Sequence, residues 1–338
     1  MPTISKKGLN MPESPIRKLA PYADQAMKSG KHIYQLNIGQ PDIKTPENAL
    51  QAVKDNNLEI LAYSPSQGYE SYRKKLAEKY KEHNINLTAD QIMVTTGGSE
   101  ALMFVMGSIT DPGDEVIIAE PFYANYNGFA TAMDVKVKPV TASIEDNFAL
   151  PPIEDFEAAI TDKTRAIILC NPGNPTGYIY TKEEMEAIAK LAQKHDLFVV
   201  ADEVYREFAY EGSKHHSILS LPEIEDRAIM VDSVSKRFSM CGARIGCLAT
   251  KNQDVLDTAL KFAQARLSPP TFAQIAAEEA LSVDESYFDE VIQEYQSRRD
   301  TLIKSLEEID GLTIAQPKGA FYCTVKLPID DAEDFAKW

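Results

Sequence analysis

Between residues 91 and 250, short β-branched runs alternate with helical stretches, and no other feature constrains the fold as tightly. The runs are QIMVTT, DEVIIAE, VKVKPV, RAIILC, LFVVAD, RAIMVD and IGCLAT. Segments such as GSEALMFVMGSI and TKEEMEAIAKLAQKH separate them. Strands that are apolar at nearly every position have both faces covered. That is the situation in a mostly parallel sheet whose crossover connections are helices. The pattern predicts an α/β unit with a seven-stranded sheet.

The flanks are mainly helical. Ser14 as cap, Pro15 at the first helical position and Gly30 as stop predict a helix over 14–30. IYQLN reads as a short strand leading into GQPD, and helices follow over 46–56 and 69–83, with YSPSQGY as a loop between them. Past residue 250 come three more helical stretches, 252–265, 271–281 and 284–309, then strand-like LTIA and AFYCTVKL. DDAEDFAKW begins another helix, so the chain is expected to stop inside an element. At 338 residues two structural units are expected.

Composition narrows the class. Apolar residues make up 44% and charged ones 25%, the balance of a globular protein. The 35 Lys and Arg against 51 Asp and Glu give a charge of −16, which argues against a broadly basic nucleic-acid surface. With no long apolar window and no apolar leader, neither a membrane nor a secretory route is expected, and the location is taken as cytoplasmic. Cys170, Cys241, Cys247 and Cys323 form no CxxC pair and read as reduced thiols, with no metal site expected.

The residues that can carry chemistry stand at ends of predicted strands, where open α/β sheets place ligands. TTGGSEAL runs from strand through glycines into a helix; the first N–H groups of such a helix suit a phosphate, although a glycine pair there is also ordinary turn chemistry. NPGNPTG is a stiff loop whose asparagine amides can enter a site or merely brace a turn. In VVADEVYREF, Asp202 ends an apolar strand, either as a cap or as a carboxylate facing a cation or donors, with Tyr205 in reach of the same place. In DSVSKRFSMCGARIG, Lys236 follows a strand among Ser233, Ser235 and Arg244. A lysine is usually a surface charge, but a buried one has the lowered pKa that a carbonyl-attacking amine needs.

In their order, GQPD, YSPSQG, GGSEAL, NPGNPTG, ADEVY and SKRFSMCGARIG resemble the class I/II aminotransferases, fold type I enzymes dependent on pyridoxal 5′-phosphate (PLP), and most closely the aspartate aminotransferase-like branch. The resemblance implies a seven-stranded, mostly parallel sheet in a large PLP domain over 46–275. A smaller α+β domain is implied from 1–45 plus 276–338, lacking its C-terminal part. It implies that Lys236 forms the Schiff base with PLP and moves the proton, in a ping-pong transfer from an L-amino acid to a 2-oxo acid such as 2-oxoglutarate. Asp202 then faces the pyridine nitrogen, and Asn174 and Tyr205 face the ring's 3-oxygen. The phosphate falls on the backbone of Gly98, Ser99 and Glu100, enclosed by Ser233, Ser235 and Arg244. Tyr123 stacks on the ring, Gly39 meets the substrate carboxylate, and Tyr63 reaches the partner's phosphate in a homodimer with shared sites.

The chain departs from the family pattern in two ways. The C-terminal arginine that clamps the substrate's α-carboxylate has no counterpart before Trp338. The partner-supplied arginine that some relatives use for a second carboxylate corresponds to Pro270, with Arg266 as the candidate substitute. Donors are expected to be aspartate-like, or else aromatic or broad. A PLP-dependent lyase on the same fold, of the β-eliminating or cyclopropane-forming kind, is the alternative enzyme. A regulatory PLP-binding protein is the non-enzymatic one.

Overall fold

The computed structural model describes residues 2–338. In chain order, helices α1 (Lys6–Asn10), α2 (Ala20–Lys28), α3 (Glu47–Lys54) and α4 (Glu70–Lys81) precede strand β1 (Ile92–Thr95) and helix α5 (Gly97–Ile109). Strand β2 (Glu115–Glu120), α6 (Asn125–Ala132), β3 (Lys136–Thr141), α7 (Ile153–Ala159), β4 (Thr164–Cys170), α8 (Lys182–Lys194), β5 (Phe198–Asp202) and β6 (Ala228–Ser233) follow. Then come the one-turn α9 (Val234–Arg237), β7 (Gly246–Thr250), α10 (Gln253–Arg266), α11 (Thr271–Ala280), α12 (Glu285–Glu307), the short strands β8 (Thr313–Ile314) and β9 (Val325–Lys326), and α13 (Ala332–Lys337).

All seven predicted strands are present, in the order β1-β7-β6-β5-β4-β2-β3. Only β7 runs antiparallel to its neighbours. The register explains the apolar runs: Ile167, Val199, Ala201 and Met230 pack on one face and Ile168, Val200, Ile229 and Val231 on the other, all buried. Side chains on a strand alternate between faces, so a sheet covered on both sides leaves no polar position until the strand ends. Polar residues close three of the strands, Thr95 on β1, Asp202 on β5 and Ser233 on β6. Pairing of Gly246 with both Thr95 and Ser233, of Asp202 with Val231 and of Cys170 with Asp202 brings these five strand ends to one edge.

The flanks depart from expectation in places. The predicted 14–30 helix begins with a 3₁₀ turn, Arg17–Leu19, capped by Ser14, and Gly30 ends it at φ +88°. IYQLN is not a strand: Tyr34 and Leu36 are 77% and 91% exposed, and no strand lies beside the segment to pair with it. AFYCTVKL contributes only Val325 and Lys326 to a ladder, because Ala320 at φ +54° turns the chain and Phe321 joins a cluster with Tyr205, Phe208 and Tyr295. The N-terminal segment meets the late helices through Asp42 with Arg298 (2.7 Å) and the Tyr287 hydroxyl donating to the Lys44 carbonyl (3.2 Å).

Candidate active site

The strand-tip edge gathers residues far apart in sequence around Lys236. The Ser233 side chain accepts the N–H of Ser235 (3.1 Å) and so starts α9, which carries Lys236 out of β6. Lys236 Nζ donates to the Gly39 carbonyl (2.6 Å) and lies 5.7 Å from the Tyr205 ring centre and 5.8 Å from that of Phe321. Burial pushes its pKa below the usual lysine value, against the opposing pull of Cys241 and Asp202. A neutral amine is therefore more accessible here than on the surface.

Asp202 is buried at the tip of β5 and accepts from the Tyr126 hydroxyl (2.9 Å). Burial pushes its pKa up to about 6, more than Tyr126 and the Val204 N–H offset. Such a carboxylate lacks a full charge partner, and a protonated ring nitrogen supplies one. Beside it, the Asn174 amide donates to the Tyr205 hydroxyl (3.5 Å), which is 2.6 Å from the Tyr322 hydroxyl. Tyr123 packs edge-on against Tyr126, 5.5 Å between ring centres.

The phosphate-binding candidate is the first turn of α5. Its leading N–H groups have no intrahelical acceptor, and the helix dipole adds partial positive charge. Gly97 sits at φ +78°, where a Cβ would lie 2.4 Å from Arg244 Nη2, so the guanidinium crosses directly over this turn. Arg244 itself is left-handed, at φ +55°. Ser233 adjoins Gly98, for a Cβ built there would be 4.0 Å from Ser233 Cβ. Ser233 Oγ lies 2.7 Å from Ser235 Oγ and 2.9 Å from the Ile245 carbonyl, so Ser233 also braces the loop before β7. Ser99 is half-buried in the same turn. A helix N-terminus, two serines and a guanidinium around one turn are chemistry that suits a phosphate, and with the Lys236 amine and the Asp202 carboxylate the set fits PLP.

A buried ion network lies behind these residues. Glu203, Asp232 and Arg237, next in sequence to Asp202, Ser233 and Lys236, are all buried. Arg237 Nη2 is 2.6 Å from both Asp232 oxygens, Arg206 Nη2 is 3.3 Å from Asp232, and Tyr80 donates to the same carboxylate (2.7 Å). Burial alone would raise Asp232, but Arg237 and Arg206 hold it below the usual carboxylate value. Glu203, paired with Arg206 (3.5 Å), is pushed by burial up to about 7.

Arg266 does not serve as a free carboxylate clamp. Its Nη1 is 3.2 Å from Glu100 Oε2, and its Nη2 donates to the carbonyls of Ser66 (3.0 Å) and Val94 (3.4 Å). Glu100 also takes the Thr96 N–H (2.7 Å), so both side chains tie α5 to α10. Tyr63 is 78% exposed. Sequence reasoning missed Tyr126 and Tyr322. PFYANY had already drawn attention to Tyr123, and Tyr126 is one helical turn further on. AFYCTVKL carried no comparable signal for Tyr322.

The fold and site define an α/β protein with a half-buried lysine and a buried carboxylate beside a helix N-terminus suited to a phosphate. The family profile Aminotransferase class I and II matches residues 31–337. Aromatic-amino-acid aminotransferase 2 of Thermococcus litoralis is 37% identical over 297 residues, 86% of this chain and 75% of that protein. The aspartate aminotransferase of Bacillus subtilis is 34% identical over 304 residues, 89% of this chain and 77% of that protein. A Thermus thermophilus aspartate aminotransferase double mutant superposes with a TM-score of 0.93 at 32% identity, covering 100% of this chain and 90% of that one. The chain belongs to the class I and II aminotransferases, PLP-dependent enzymes that exchange amino groups between amino acids and oxo acids.

Proposed function

We propose that the chain transfers the amino group of an L-amino acid, aspartate or an aromatic donor, to a 2-oxo acid such as 2-oxoglutarate, with Lys236 as the cofactor-holding and proton-moving amine. The observation that carries this is the convergence of Lys236, Asp202, Asn174 and Tyr205 beside the α5 N-terminus. Relatives acting on aspartate and on aromatic amino acids support a donor range spanning both. With Arg266 engaged by Glu100, no cation selective for a second carboxylate is supplied from that position.

PLP, when bound, supplies a ring that withdraws electrons from the substrate's Cα. Lys236 Nζ, whose neutral form burial favours, would take the Cα proton and return it. Asp202 would hold a proton on the ring nitrogen. Asn174 and Tyr205 direct an N–H and an O–H at the 3-oxygen. The N–H groups of Gly98, Ser99 and Glu100, the Ser233 and Ser235 hydroxyls and Arg244 bind the phosphate. Tyr123 would cover the ring, and Gly39 would present its backbone to the substrate carboxylate.

Tyr63 serves a partner's site in a homodimer. Supporting this, Leu58, Ile60, Leu61 and Tyr63 stand 49–78% exposed on one segment. Thr271 and Pro269 bond to that segment, which brings exposed Leu267 and Phe272 beside it. So much adjoining apolar surface fits burial by a second copy. Contacts of Asp42 and Lys44 with α12 support dividing the chain into a 46–275 domain and a smaller 1–45 plus 276–338 domain. Free thiols at all four cysteines support a reducing, cytoplasmic location.

Amino donors mixed one at a time with the PLP form, with no acceptor present, test the assignment. Loss of the visible band with release of the matching 2-oxo acid is expected for aspartate and for phenylalanine. Release of ammonia in its place would overturn it in favour of a lyase.

A further inference from the structure

We propose that Tyr322 is a positioning residue for transamination: its hydroxyl donates to Tyr205 and thereby commits the Tyr205 proton to the cofactor's 3-oxygen. The inference rests on the functional reading above and adds a residue from the C-terminal segment to it. The two hydroxyl oxygens are 2.6 Å apart, and either can donate to the other. Counting protons decides which one does. Tyr205 has one hydrogen and two lone pairs. The Asn174 amide reaches one lone pair at 3.5 Å. Were Tyr205 to donate to Tyr322, it would have no proton left for an anionic oxygen. With Tyr322 as donor, Tyr205 accepts from both neighbours and gives its own proton to the site.

The surroundings hold Tyr322 in that position. A Cβ on Gly39 would lie 2.1 Å from Tyr322 Oη, so only glycine lets the hydroxyl pass there. The same Gly39 takes Lys236 Nζ on its carbonyl. The Tyr322 ring stacks on Phe321 (5.2 Å) and stands edge-on to Tyr205 (5.5 Å). Burial raises the pKa of both hydroxyls above the usual tyrosine value, so both keep their protons across the working range. Hydrogen bonds in a chain strengthen one another, and an accepted bond makes the Tyr205 proton a better donor.

The test is a pH titration of the visible absorbance of PLP-loaded protein, with the PLP dissociation constant measured alongside. Donation by Tyr205 favours the deprotonated chromophore, so Tyr322→Phe should move the midpoint upward by about half to one pH unit. It should also weaken PLP binding about two- to tenfold. Tyr205→Phe should move the midpoint further, and adding Tyr322→Phe to it should change nothing more. Replacing Tyr322 by 3-fluorotyrosine, a stronger donor of nearly the same shape, should shift the midpoint downward, which a purely structural role would not do. An unchanged midpoint in folded Tyr322→Phe, or additive shifts in the double variant, overturns the inference. A wild-type protein that binds no PLP would instead overturn the functional reading beneath it.

Discussion

Asp202→Asn should make the cofactor-free protein more stable and the loaded protein worse. Burial holds the Asp202 carboxyl at about 6 in the folded chain, against 3.8 ordinarily. Between those values the folded state keeps a proton that the unfolded state has released, so stability falls as pH rises through the window. The loss is complete a little above pH 6. At 1.36 kcal/mol per pH unit it amounts to about 3 kcal/mol. Asparagine has no charge to desolvate, and its oxygen can still accept from Tyr126. Urea unfolding of the cofactor-free proteins at pH 4 and pH 8 measures this. The variant should roughly match wild type at pH 4 and exceed it by up to about 3 kcal/mol at pH 8. With PLP present the order should reverse, because a ring-nitrogen proton facing Asp202 offsets the burial cost in wild type alone. Equal wild-type stability at both pH values relative to Asp202→Asn would refute the reasoning.

Gly97→Ala forces a side chain into the left-handed region and against Arg244 Nη2, 2.4 Å from the new Cβ. It should cost about 1–2 kcal/mol of stability and weaken PLP binding at least tenfold, read by calorimetric titration. Undiminished binding would remove Arg244 and this turn from the phosphate site. Arg266→Met leaves Glu100 with only the Thr96 N–H and should cost about 1–3 kcal/mol in thermal unfolding. The ratio of kcat/KM for aspartate to that for phenylalanine should not change, and a selective loss for aspartate would return Arg266 to the substrate site.

The sheet was legible because most of its strands are apolar at consecutive positions, and Asp202 and Ser233, polar at the ends of β5 and β6, marked the edge that Lys236 follows. Such patterns are local. IYQLN has the alternation of a strand, but a strand exists only beside another, and none lies there to pair with Tyr34 or Leu36. Arg266 and Glu100 illustrate the same limit: 166 positions of chain separate the two, and only the packing of α10 on α5 shows that they form an ion pair. Tyr322 was hidden for the opposite reason. Its neighbours in sequence look like strand, and its function comes from Tyr205 and Gly39, which lie far away along the chain.

The central claim is that Lys236 is the amine that holds PLP. Borohydride reduction of the PLP-loaded protein, followed by proteolysis and mass spectrometry, tests it directly. The modified peptide should be the one spanning Lys236, and Lys236→Ala should show no such adduct and no transamination. Modification confined to another lysine, or normal turnover by Lys236→Ala, would contradict the account.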